Sequence, residues 1–138
     1  MLLYIVIGVF LAFSVLYANQ FVSSQPENLN HSTSSSKVTA YAEAARQLLN
    51  QSKIEYNKGN TTGAEELAIR AYLDNFEYVE SPLEQKGQQK LKEEIEIMMR
   101  DDLRTLIKEK VSAQELNNHV NITDGKLREA IHILNSPN

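Results

Sequence analysis

The stretch Thr62–Ser81 constrains the fold more than any other part of this chain. Read as a helix, it places apolar side chains over an unusually wide arc. The remaining polar stripe is narrow and consists of Glu66, Arg70, Asp74 and Glu77. A helix that is polar along one narrow stripe packs against neighbours on its other sides. We therefore predict that this helix lies at the centre of a small helical bundle.

The preceding segment is predicted to pair with this helix as an antiparallel hairpin. Lys37–Lys58 has apolar side chains at helical spacing, and Gly59 follows as a typical residue for ending a helix. Thr62 then precedes Glu65 by three positions, which is the spacing of an N-terminal capping box. The short turn between the two helices favours the hairpin arrangement.

A second capping-box pattern, Ser81 with Glu84, predicts that a new helix begins at Pro82. A long helix is expected after it, near Gln88–Val111, and Asp102 falls in the middle of its apolar stripe. A buried carboxylate needs a cation, a hydroxyl group or a free helix end as its partner. Asp102 is therefore a candidate for a structural or interface contact.

Two short helices are expected in the C-terminal part. Ser112 and Glu115 have capping-box spacing before the first, and Thr123 or Asp124 would start the second. No stretch of the sequence alternates between apolar and polar residues at period two, so no sheet is expected. The predicted fold class is all-α, with a bundle domain over residues 37–138.

Residues 1–22 are predicted to form a single transmembrane helix. The run Leu2–Tyr17 is nearly all apolar and has no charged side chain. As a helix it would span roughly 24 Å, and continuation to Val22 brings it to the thickness of a bilayer core, about 30 Å. A cleaved signal peptide is the alternative, although no basic residue precedes the run. Gly8 and Ala12 form a small-residue pair at which a partner helix could approach closely.

Residues 23–36 are polar and predict a flexible tether between the membrane and the bundle. The chain also has four Asn-x-Ser/Thr sequons, at Asn30, Asn50, Asn60 and Asn121. Such sites are glycosylated only outside the cytoplasm. The alternative is an Asn- and Ser-rich composition without glycans. Together with the anchor, the sequons favour an N-terminus inside the cell and a C-terminal domain outside it.

Composition excludes several function classes. The chain has 14 basic and 18 acidic residues, and from residue 37 onward the two kinds alternate, so there is no basic patch for nucleic acid. There is no Cys, which excludes disulfides, thiolate metal sites and Cys nucleophiles. The three His are scattered, and the sequence has no Ser-His-Asp pattern, P-loop or dinucleotide fingerprint. We predict that the chain is not an enzyme and has no catalytic residues.

Candidate metal ligands come from carboxylates of the central helix. Asp74 and Glu77 are three positions apart on one face, and Glu80 lies nearer the apolar side. The alternative is an ion-paired surface, because Arg70 and Asp74 are four positions apart. Two neighbouring methionines, Met98 and Met99, could ligate copper, but at helical spacing among Leu and Ile they are expected in the core.

The sequence Ala71–Glu80, followed by Pro-Leu, resembles the extracytoplasmic helical domain at the N-terminal end of many prokaryotic high-affinity iron permeases. The match extends loosely over Ala44–Leu134. The resemblance implies an all-helical domain outside the cell, beside an iron-transporting membrane part. A metal site inherited from that family would lie at Asp74, Glu77 and Glu80. The permease's intramembrane Arg-Glu-x-x-Glu motif is absent from this sequence, so transport by the chain itself is not expected.

These features predict a membrane-anchored extracytoplasmic accessory or binding subunit of a larger membrane complex, linked by resemblance to iron supply. Its partners would be other integral membrane subunits and the lipid bilayer. Two alternatives stay open. The chain could be a structural subunit of a membrane oxidoreductase, such as a copper-dependent monooxygenase of the ammonia- or methane-oxidising type. It could also be a free iron-binding module. No cofactor is expected under the main prediction, and iron or copper ion under the alternatives.

Overall fold

A computed structural model describes residues 29–137, with side chains from residue 36 onward. The described residues are all-helical and contain no strand, which confirms the predicted fold class for this part of the chain. They form four helices. These are α1 (Leu29–Asn57), α2 (residues 61–85), α3 (residues 89–109) and α4 (Ala113–Asn135).

The predicted hairpin of α1 and α2 is confirmed, with a different cap. Gly59 adopts a positive φ of 84°, as expected of the residue that ends a helix. The N-cap of α2 is Asn60, whose side chain accepts a hydrogen bond from the backbone N–H of Gly63. The predicted capping box that starts at Thr62 is therefore wrong. Across the hairpin, the Ser52 hydroxyl donates to the carbonyl of Ala64 at 2.7 Å.

Helix α1 begins at Leu29, inside the segment predicted as a tether over residues 23–36. The described part of that segment, residues 29–36, is helical. It contains neither Gly nor Pro, and each Ser or Thr costs a helix only about 0.5 kcal/mol relative to Ala. Because extending a helix is easier than starting one, the helix continues backward from residue 37.

Helix α2 passes through the position where a break was predicted. Its last part, Glu77–Gln85, contains Pro82 in its interior, and the chain turns only at Gly87, which has a φ of 73°. The predicted helix start at Ser81 is therefore wrong. Pro82 removes one backbone hydrogen bond, but Val79 and Leu83 beside it are fully buried. Their packing keeps the segment helical.

Two π-helical turns interrupt α2 and α3. The first is Tyr72–Phe76, between Thr61–Ala71 and Glu77–Gln85. The second is Met98–Asp102, between Gln89–Ile97 and Leu103–Glu109. A π turn accommodates one extra residue and so shifts the helical register.

The second π turn corrects the prediction for Asp102. That residue is exposed, whereas Met99, Leu103 and Ile107 are buried. A regular helical period places Asp102 within the apolar stripe. The wider turn instead keeps the apolar residues inward and moves the carboxylate to the surface. The core position predicted for Met99 is confirmed.

Helix α4 is continuous where two short helices were predicted. Ser112 is its N-cap and accepts from the backbone N–H of Glu115, which confirms that cap. Thr123 lies inside this helix and starts no second one. Its hydroxyl donates to the carbonyl of His119 one turn earlier. Asp124 is also inside the helix, and its carboxylate pairs with Arg46 of α1.

The core lies between the four helices, and each contributes fully buried side chains. Examples are Leu49 of α1, Phe76 of α2, Ile95 of α3 and Leu127 of α4. Among residues 29–137, no helix is long and apolar enough to cross a membrane. The predicted anchor, with Gly8 and Ala12, lies outside the described residues.

Candidate functional site

Polar side chains line the contact between α2 and α3, which run antiparallel on either side of the turn at Gly87. This polar cluster consists of Tyr72, Glu80 and Glu84 of α2 and Lys92, Glu96 and Arg100 of α3. Tyr72 and Lys92 are buried, Glu80 and Glu96 are partly buried, and Glu84 and Arg100 are exposed. The polar cluster therefore places a buried cation of α3 near a partly buried carboxylate of α2.

Lys92 ties the two helices together at the outer end of the polar cluster. Its residue is only 9% exposed. Its Nζ lies 3.1 Å from Oε1 of Glu84 on the facing helix and 3.5 Å from Oε2 of Glu96 on its own helix. The hydrogen bond with Glu84, together with both carboxylate charges, raises the pKa of Lys92. The ammonium group therefore stays charged despite its position.

Tyr72 and Arg100 meet at the inner end of the polar cluster. Tyr72 is 8% exposed, and burial is the main reason why its pKa is raised. Its hydroxyl interacts with both Arg100 and Glu80. The Arg100 guanidinium also pairs with Glu96 and, at 3.0 Å, with Asp101. Tyr72 thus connects a cation of α3 to a carboxylate of α2.

Glu80 is the member of the polar cluster with an unmet hydrogen-bonding need. Its Oε1 is buried and has no hydrogen-bond partner among the described residues. Burial raises the pKa of Glu80 and the charges of Glu96 and Glu77 add to that change, whereas the bond with Tyr72 and the charge of Lys92 oppose it. A carboxylate in such surroundings binds a proton more readily than an exposed one.

The π turns position this cluster. Tyr72 is the first residue of one π turn, and Arg100 is the middle residue of the other. The sequence does not predict the contact between Tyr72 and Arg100, because a π turn has no local residue signature comparable to that of a helix cap. One signal was available: Asp102 in an otherwise apolar stripe indicates that the helical period changes nearby.

The three predicted metal ligands do not come together. Asp74 and Glu77 are exposed, whereas Glu80 is directed at Tyr72. Within residues 29–137, no group of three or more His, Asp or Glu side chains could hold a metal ion. Arg70 lies 3.4 Å from Asp74, which agrees with the ion-paired alternative.

A second polar contact joins α1 to α4. Arg46 donates from Nε to Oδ1 of Asp124 at 2.7 Å, and Arg128 lies 2.8 Å from the other oxygen of that carboxylate. Burial by itself would raise the pKa of Asp124, but the bond with Arg46 and the two positive charges hold it below its usual value. Farther along, Lys53 donates to Asn121 at 3.1 Å. These contacts fix the first and last helices side by side.

Three sequons have structural roles in the described chain. Asn50 donates to the carbonyl of Arg46, and Asn60 caps α2 while it donates to Glu55. The third asparagine, Asn121, accepts from Lys53. The hydroxyls of Ser52 and Thr123, which complete two of these sequons, are buried and bonded to carbonyls. Asn30 lies within α1. Glycosylation at the four positions stays a prediction.

A comparison of the chain with protein-family models, curated proteins and solved structures finds no match. The resemblance of Ala71–Glu80 to the iron permease domain therefore stays a prediction.

Proposed function

We propose that this chain is a non-catalytic accessory subunit of a larger membrane complex. In this proposal, residues 1–22 anchor it in the cell membrane as a single helix, and the four-helix bundle lies outside the cytoplasm. The bundle contributes contacts to partner subunits rather than chemistry of its own.

The observation that carries the proposal is a contrast between an uncharged apolar run at the N-terminus and a bundle that packs its own core. The bundle fills its core with side chains from residues 42–134. The run Leu2–Tyr17 is nearly all apolar in sequence, and no charged side chain precedes Glu27. An uncharged run of this length is stable in a bilayer, where a backbone helix satisfies its own hydrogen bonds.

Partner binding through the anchor is supported by the pair Gly8 and Ala12. Small residues four positions apart allow two helices to approach closely in a membrane, where packing drives association. The bundle's charged groups in the polar cluster, and around Asp124, bond mainly to each other. This pattern is typical of a structural network, which supports an accessory role.

The orientation and the partners can be tested in one preparation. Membranes that contain the full chain are treated with protease from the outside, and a second sample is extracted with mild detergent. We expect the bundle to be digested only from the outside face, and we expect a fixed set of membrane chains to co-purify in constant ratio. A mature chain that begins beyond residue 23, in the soluble fraction, would contradict the anchor.

The anchor contact needs a matched pair of variants. Gly8→Leu with Ala12→Leu should reduce co-purification of partner chains at least tenfold, because the bulkier residues separate the helices. Val6→Leu with Phe10→Leu, which changes the opposite side of the same helix, should leave it unchanged. Equal loss of co-purification in both pairs would show that the small-residue face is not the contact.

The metal content of the purified complex separates the alternatives. Iron bound to this chain alone would favour the iron-binding module, and copper in a partner subunit would favour the oxidoreductase.

A further inference from the structure

Residues 77–97 form a helical hairpin whose two ends are both π turns. The π turn Tyr72–Phe76 precedes it in α2, and the π turn Met98–Asp102 follows it in α3. Because Tyr72 and Arg100 interact, both turns lie at the same level of the bundle. π turns inside α-helices are frequent at functional sites and are places where a helix bends. The hairpin arm, residues 77–97, is therefore bounded by a π turn on each of its two helices.

The hairpin arm encloses the carboxylate of Glu80. The groups that act on Glu80 from its own helix are Tyr72 and Glu77, and those from α3 are Lys92 and Glu96. The positive charge of Lys92 stabilises ionised Glu80, but Lys92 forms its ion pairs with Glu84 and Glu96. Glu80 is left beside two other carboxylates, with Oε1 buried and unpartnered.

The other two helices hold the hairpin arm by groups that do not neutralise Glu80. Tyr41 of α1 stacks on Tyr78 with ring centroids 4.6 Å apart. From α4, Lys126 pairs with Glu94. The carbonyl of Ser136, the residue that follows α4, accepts from Lys86 at 2.7 Å. No cation from α1 or α4 is among the principal groups acting on Glu80.

We propose that the hairpin arm is a proton-controlled element, which closes tightly on the bundle when Glu80 is protonated and opens about its two π turns when Glu80 is ionised. The proton comes from solvent and binds the Glu80 carboxylate. The neutral carboxyl group no longer repels Glu96 and Glu77, and its burial costs less. When the proton returns to solvent, the ionised carboxylate is hydrated best with the arm open.

The direction follows from linkage. Burial raises the pKa of Glu80 in the closed arm, whereas an open arm restores it toward its ordinary value. The closed arm therefore binds the proton more tightly, so opening becomes more favourable as the pH rises. One proton changes an equilibrium constant by at most about tenfold per pH unit.

Amide hydrogen exchange on the full chain in detergent micelles tests the proposal. Rates are measured between about pH 4 and pH 8 and corrected for the intrinsic pH dependence of exchange. We expect the opening constant of buried amides in residues 77–97 to rise with pH, while that of amides in residues 42–57 stays constant. A uniform change across the whole bundle would overturn the proposal, because it would indicate global unfolding.

Variants assign the effect to one group. Glu80→Gln keeps the shape of the side chain and should remove the pH dependence of the arm. Glu129→Gln, at an exposed position of α4, should retain it. Tyr72→Phe removes a bond that favours ionised Glu80, so it should shift the transition to higher pH. An unchanged pH dependence in Glu80→Gln, or no shift in Tyr72→Phe, would overturn the assignment.

Discussion

Arg46 and Asp124 are separated by 78 positions and form a two-point ion pair, with Nε to Oδ1 at 2.7 Å and Nη2 to Oδ2 at 3.3 Å. The pair joins the first described helix to the last. Both side chains are mostly buried, at 19% and 11% exposure. Charge-assisted bonds of this geometry are stronger than neutral ones, and they leave a costly unpaired group when one partner is removed.

Asp124→Asn should lower the free energy of unfolding by about 2 kcal/mol, because Arg46 loses its charged partner in a shielded position. Chemical denaturation of the full chain in detergent, followed by circular dichroism, measures the change. Asp101→Asn is the matched control, because Asp101 is exposed in its ion pair with Arg100. It should change stability far less than Asp124→Asn, because solvent screens an exposed ion pair. Equal effects would contradict the assigned importance of the buried pair.

The same carboxylate should make stability depend on acid pH. The pKa of Asp124 is lower in the folded chain than in the unfolded chain. Its contribution is therefore fully present above the unfolded pKa, about 3.9, and is lost as the pH falls through the folded value. Denaturation midpoints should decrease over this acid range in the native chain. The decrease should be smaller in Asp124→Asn, and an identical decrease in both would count against this source.

Deletion of one residue distinguishes a π turn from a regular helix. Removal of Asp102, which is exposed, should convert the second π turn into α-helix while both flanking segments keep their buried faces. We expect a loss of less than about 2 kcal/mol, within the range of ordinary mutations. Removal of Glu93, within the α-helical part of α3, rotates the following residues by about 100° and should unfold the bundle. Denaturation curves that rank the two deletions in the opposite order would contradict the register argument.

Two serines with the same sequence pattern should respond differently. Ser112→Ala removes the N-cap of α4 and should cost about 1 kcal/mol. Ser81→Ala changes an exposed position inside α2, where the hydroxyl only accepts from Gln85. It should be neutral or slightly stabilising, since Ala favours a helix interior. Thermal unfolding of both variants measures the difference in stability. Equal losses of stability would indicate that Ser81 also caps a helix, as the sequence predicted.

Local signals in the sequence were sufficient for much of the fold. The all-α class of the described residues, the α1–α2 hairpin and the cap at Ser112 followed from side-chain spacing and from the chemistry of helix ends. Helix α1 ends near the predicted position because Gly59 adopts a positive φ without the steric strain that a side chain would add. These features depend on a few neighbouring residues, so they can be read without knowledge of the partners across the core.

Tertiary structure decided the rest, because packing between helices outweighs local preference. The packing of buried Val79 and Leu83 keeps α2 helical at Pro82. The π turn Met98–Asp102 leaves Asp102 exposed to solvent while Met99 is buried. Arg46 contacts Asp124, and Tyr72 contacts Arg100 and Glu80. Local spacing in the sequence does not predict these contacts. The sequence by itself determined where helices can form; their contacts in the bundle determined where they end and which charges they bury.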